Sequence, residues 1–178
     1  MIKNTPKADD RVTQLLRAAF SMRAQWMYYF IEEAKANGCD PEFARKAVFK
    51  CGCMQAKSLP DTDDPVEFGN AFVKPENAKV FDMITKSEDG VFEMNFHYCP
   101  LVAAWQALGA DDEYVAWLCD VAMTGDAGIV EKYKKHFTYE LGSRIAYGDD
   151  KCVLRLIKNE KYAAEQSEKA KQAESPSR

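Results

Sequence analysis

Along residues 91–98 apolar and polar side chains alternate as in a half-buried strand, and Cys99 then stands directly before Pro100, which opens the helix-spaced run "CPLVAAWQALG". Proline at a first helical position makes Cys99 the cap. A thiol there faces free backbone N–H groups and the positive end of the helix dipole, which favour the thiolate and lower its pKa. The chemistry on offer is nucleophilic attack by sulfur. The plain alternative is a small, weakly polar residue that fits the turn. His97 shares strand parity with Glu93 and Asn95 and is either a solvated side chain or the base, acid or metal ligand that such a thiol would use.

Two more thiols can reach the same region. Cys119 falls on the inner face of the following helix with Val115, Leu118 and Ala122, and Cys152 shares a face of the last strand with Leu154 and Leu156. Each alone reads as buried structure. Together with Cys99 they suggest either a thiolate nucleophile with supporting groups or a cysteine site for zinc or iron, to which His97 could add a fourth ligand. The metal-free reading is preferred, because the three come from separate elements and no local ligand pair exists. Cys51 and Cys53, about 200° apart on a helix, form no metal knuckle.

Arg23 is the other conspicuous position. On a helical wheel it falls inside the stripe formed by Leu16, Ala19, Phe20, Trp26, Met27 and Phe30. A guanidinium buried there needs an anion, either an internal acid such as Glu33 or the carboxylate of a substrate, whose two oxygens match its fork. Arg23, Trp26 and Asp126 are the candidate substrate contacts. Asp126, after Gly125, also reads as the N-cap of a short helix, and His136 carries no signature.

The elements that must position these groups follow from periodicity. Residues 11–35 form a long amphipathic helix stopped by Gly38, and Asp40-Pro41 caps a second helix that carries Cys51 inward. The acidic, turn-rich "SLPDTDDPVEFGN" is expected as a surface loop. "AKVFDMIT" and "VFEMNFHY" form a hairpin around Gly90, and "HFTYELGSRIAY" and "CVLRLIK" a second around "GDDK". The expected fold is α+β: one domain over residues 1–158, with two N-terminal helices and a middle helical layer on an antiparallel sheet of about four strands. Residues 159–178 read as a charged, exposed or disordered tail.

Bulk properties bound the function. With 178 residues, 47% of them hydrophobic, the chain can build a core. A net charge of −4 and the lack of a basic stripe exclude a nucleic-acid surface. No segment reaches the roughly 18 uninterrupted apolar residues of a membrane span, and the N-terminus lacks a signal-like apolar core. A cytoplasmic location with reduced cysteines is expected. Trp26, Tyr28 and Tyr29 supply aromatic surface for a homodimer.

The run "FHYCPLVAAWQALGADDEYVAWLCDVAMTGDAGIVE", followed by "IAYGDDKCVLRLIK", resembles the L-2-amino-thiazoline-4-carboxylic acid hydrolase family. Cys99-Pro100, Trp105, Gly109, Cys119-Asp120, Gly125-Asp126 and Gly148-Asp149 ahead of Cys152 carry the resemblance. It implies hydrolytic opening of a small carboxylated cyclic amidine, with 2-amino-thiazoline-4-carboxylate giving N-carbamoyl-cysteine, and a substrate carboxylate that suits Arg23. A non-catalytic binding or sensor domain with a cysteine-lined pocket is the competing class.

Overall fold

Helix α1 forms where the spacing places it, over Arg11–Ala36. Asp10 caps it, accepting from the Thr13 amide at 3.1 Å and the Thr13 hydroxyl at 2.7 Å. The chain leaves through Gly38, whose φ of +73° suits glycine. The computed structural model describes residues 1–162 and 164, so most of the expected tail lies outside the described residues. Helix α2 (Phe43–Gln55) starts two residues after Pro41, because the Asp40 carboxylate first closes a turn on the Glu42 amide at 3.0 Å. Cys51 is exposed on it rather than buried, since α2 turns its glycine face inward.

The acidic segment expected as a loop contains helix α3 (Pro65–Phe72). Asp64 caps it through the Val66 amide at 2.9 Å, Pro65 takes the first position, and Phe68 is buried. Helix α4 (Pro75–Val80) likewise replaces the start of the expected first strand, which begins after Asp82 as β1 (Met83–Glu88). Strand β2 is Val91–Phe96, helix α5 Pro100–Ala107, helix α6 Asp112–Val130, strand β3 Phe137–Leu141 and strand β4 Cys152–Lys158. Gly125 and Asp126 lie well inside α6, so no new helix starts there and Asp126 caps nothing.

The strands form one antiparallel sheet in the order β1-β2-β4-β3, the expected α+β domain with two hairpins joined edge to edge. Phe92 stands opposite Leu156, Met94 opposite Leu154 and Phe96 opposite Cys152. The β3–β4 connection is no tight turn but a ten-residue link, 142–151, with a 3-10 turn at Ile145–Tyr147. Two cores result. Trp105, Leu118, Ile31 and Ile145 centre the first, among α1, α5 and α6, and Phe68, Phe92, Tyr133 and Leu156 the second, between α3 and the sheet. Helix α6 serves both, giving Leu118 and Val121 to the first and Ile129 and Val130 to the second. Helices α2 and α6 meet backbone to backbone: a Cβ on Gly52 would fall 1.9 Å from the Gly125 oxygen, and one on Gly128 2.2 Å from the Phe49 oxygen.

Candidate active site

Cys99 is held by its neighbours' backbone requirements. It caps α5 in extended conformation, and its own peptide groups are bracketed by Asn4, whose side-chain nitrogen donates to the Cys99 carbonyl at 2.8 Å while its oxygen accepts the Cys99 amide at 2.9 Å. Gln106 secures the same N-terminal arm by donating to the Ile2 carbonyl at 3.2 Å. The Cys99 sulfur makes no capping hydrogen bond, yet the amide dipoles of Val102 and Leu101 point toward it.

The expected convergence of thiols is present. Cys99, Cys119 and Cys152 all pack on the first core, and Cys99 and Cys152 each bear electrostatically on Cys119. Cys152 accepts a hydrogen bond from the Ile145 amide at 3.3 Å. Burial nonetheless decides their charge. It pushes the Cys99 thiol above the ordinary range, outweighing the Val102 and Leu101 amides and the charge of Arg23. The helix N-terminus therefore does not produce the lowered pKa that the sequence suggests. Burial raises Cys119 too, and moves Cys152 up to about 12. All three are neutral thiols at physiological pH, and any nucleophile among them needs a base.

Asp126 is the carboxyl whose charge bears on Cys99. On α6, at the border of the two cores, burial pushes its carboxyl up to about 6, opposed by Arg23. Its charge bears on Tyr139 as well. Asp126 and Cys99 are half-buried, and with Cys119, Cys152 and Tyr139 they form one cluster of mutually interacting groups, the candidate recess. Tyr139, which the sequence reading passed over, adds a buried hydroxyl with no hydrogen-bond partner among the described residues. Burial raises its pKa, with Asp126, Cys119 and Cys152 adding to the rise. Its signal was a tyrosine at an inward position of "HFTYEL", between Phe137 and Leu141.

Arg144 marks the far wall. It pairs with Asp120 of α6, lies 3.9 Å from the Tyr147 ring centre, and lowers the thiol pKa values of Cys119 and Cys152. Tyr147 donates to Asp120 at 2.8 Å, so the link carrying Cys152 is tied to α6.

Arg23 keeps to the edge of the site, and Trp26 is not among the residues packed on the core that holds the thiols. Arg23 is exposed, over the Phe20 ring at 4.7 Å, and reaches Cys99 and Asp126 only through its charge at the rim. The buried arginine of α1 is Arg17, because the core takes the face of Thr13, Arg17, Ala24 and Ile31 rather than the more apolar stripe beside it. Trp26 is 63% exposed and edge-on to Phe30. His97 is half-buried and makes no side-chain hydrogen bond among the described residues.

Among the described residues no three His, Cys, Asp or Glu side chains are grouped as a metal ion requires. The thiols share a neighbourhood without forming such a group. Among the described residues, too, no helix is long and apolar enough to cross a membrane. No curated protein matches the chain. The sequence profile of the L-2-amino-thiazoline-4-carboxylic acid hydrolases matches residues 19–156, from the middle of α1 into β4 and across every thiol of the recess, and the chain belongs to that family.

Proposed function

We propose that the chain is a hydrolase that opens a small carboxylated cyclic amidine, 2-amino-thiazoline-4-carboxylate or a close analogue, at a recess centred on Cys99 and Asp126. The observation that carries this reading is a half-buried thiol and a half-buried carboxyl that bear on each other electrostatically, with burial raising the carboxyl to about 6, toward the range of a general base. Asp126 takes the Cys99 proton as sulfur attacks the amidine carbon. The bond from that carbon to the ring sulfur breaks, and the departing sulfur receives the proton. Water then attacks the same carbon, losing its proton to Asp126, and the Cys99 sulfur leaves as the thiol. The sum is substrate plus water giving N-carbamoyl-cysteine.

Arg23 at the rim attracts the carboxylate, and the Tyr139 hydroxyl, without a partner among the described residues, is available to donate to a substrate heteroatom. Cys119 and Cys152 line the wall as neutral thiols. We place the reaction in the cytoplasm, where six free cysteines persist.

The test is turnover of 2-amino-thiazoline-4-carboxylate by the full chain, with N-carbamoyl-cysteine read by mass spectrometry. Cys99→Ala and Asp126→Asn are each expected to lose about 100-fold or more, with ligand affinity kept in Cys99→Ala. Full activity in Cys99→Ala removes the nucleophile from the reading. Tight binding by the wild type without turnover makes the domain a sensor and overturns it.

A further inference from the structure

Helix α1 carries a second apolar face that the described residues leave uncovered. Thr13, Arg17, Ala24 and Ile31 face the core, while Val12, Leu15, Ala19, Met22, Trp26 and Tyr29 recur at alternating intervals of three and four on the outside, with Phe30 beside them. Val12 (58%), Leu15 (61%), Met22 (56%), Trp26 (63%), Tyr29 (55%) and Phe30 (65%) all expose more than half of their surface. That spacing is the seam of a coiled coil, not the face of a helix that meets only water.

We propose that a second copy of this chain covers this seam, with the two α1 helices packed antiparallel about a twofold axis. Size is the first argument. With aromatic side chains each worth about 150–250 Å², the six present on the order of 700 Å². The largest apolar patch of an ordinary monomer is about 300–600 Å², and a stable dimer buries about 800 Å² per partner.

Register is the second. A twofold axis passing between Phe20 and Ser21 pairs Ala19 with Met22, Leu15 with Trp26 and Val12 with Tyr29 of the other copy, so each layer sets a smaller side chain against a larger one. The same register brings Arg11 to Glu32 at both ends, opposite charges where a coiled coil carries them. Parallel pairing would instead stack Trp26 on Trp26 and leave Arg11 beside Leu16. An isologous contact of this kind closes at two copies. It also sets Leu16 of one copy against Arg23 of the other, at the rim of the recess.

Sedimentation equilibrium of the full chain in reductant, up to about 100 µM, is expected to give a dimer. Leu15→Glu and Trp26→Lys, both outside the cores, are each expected to give monomers with unchanged far-ultraviolet circular dichroism. The double variant Leu15→Glu/Trp26→Lys is expected to dimerise again, since antiparallel pairing brings each new carboxylate to a new ammonium. A wild-type monomer, as coverage of the stripe by the chain's own C-terminal residues would give, overturns the proposal. So do single variants that stay dimeric, and failure of the double variant to reassociate overturns the antiparallel register.

Discussion

Asp126 combines two properties that pull against each other. Its carboxyl titrates at about 6 against an ordinary 3.8, because its ionised form is poorly solvated where it stands. Between those values the folded state holds the proton more firmly than the unfolded chain does. Stability therefore falls as pH rises from about 4 to about 6 and is level above. Asp126→Asn removes that cost, so the variant is expected to be on the order of 2 kcal/mol more stable at pH 7.5 and nearly unchanged at pH 4, read from urea midpoints. Activity should move oppositely: kcat/KM of the wild type rises with pH through about 6 and is lost in the variant. Arg23 lowers the Asp126 pKa, so Arg23→Gln should shift the acid limb to higher pH. A limb that stays in place would remove Arg23 from the recess. Local sequence foretold Cys99 at its corner because a proline one residue later determines the backbone there. It could not foretell the charge state of the thiol or of Asp126, since burial depends on α1, α6 and β3 arriving together.

At the scale of elements, periodicity located most helices and strands and the buried faces of β2, β4 and α6, but misjudged those of α1 and α2. The wheel of α1 placed Arg23 in the apolar stripe; the core selects the adjacent face, with Arg17. Gly125-Asp126 looked like a helix start because glycine interrupts helical patterns, yet α6 runs straight through it. The reason lies in α2. Gly52, Gly125 and Gly128 are where the two helices touch, so the glycines serve a crossing and not a turn. The two on α6 differ in what a methyl would meet. At Gly128 a Cβ would lie 2.2 Å from the Phe49 oxygen and 3.1 Å from the Cys53 nitrogen, both rigid helix backbone. At Gly125 it would meet the Val48 side chain at 3.2 Å, which can yield. Gly128→Ala is thus expected to cost about 1–3 kcal/mol by forcing the helices apart, while Gly125→Ala stays within about 1 kcal/mol because helix propensity offsets the smaller clash. Equal urea midpoints for the two variants would mean that the crossing adjusts more freely than its backbone contacts imply.

Across the whole molecule, the recess depends on parts distant in sequence being fastened at one corner outside it. Arg17 is that fastening. From the inner face of α1 it donates to the Val80 carbonyl at 2.9 Å and the Lys79 carbonyl at 3.1 Å, reaches the Ala8 carbonyl, and pairs with Asp82 at 3.2 Å. Its guanidinium also lies 4.5 Å from the centre of the Tyr98 ring, one residue before Cys99. Asp82 itself adopts φ +44°, and its carboxylate accepts the Lys7 amide at 2.6 Å and the Ala8 amide at 3.1 Å. One ion pair so joins the N-terminal arm, α1 and the α4–β1 corner, and the same arm carries the Asn4 bracket on Cys99. With side-chain exposures of 10% and 8%, the two charges have little water to fall back on. Arg17→Met leaves Asp82 buried without its partner, and a loss of about 3–5 kcal/mol is expected. Adding Asp82→Asn removes the stranded charge while keeping a residue that tolerates positive φ, so the double variant should recover part of that loss. A double-mutant cycle read from urea midpoints gives the coupling. Additive losses would show that Arg17 acts through its backbone hydrogen bonds alone, and that the corner is held by the chain's carbonyls and not by the charge of Asp82.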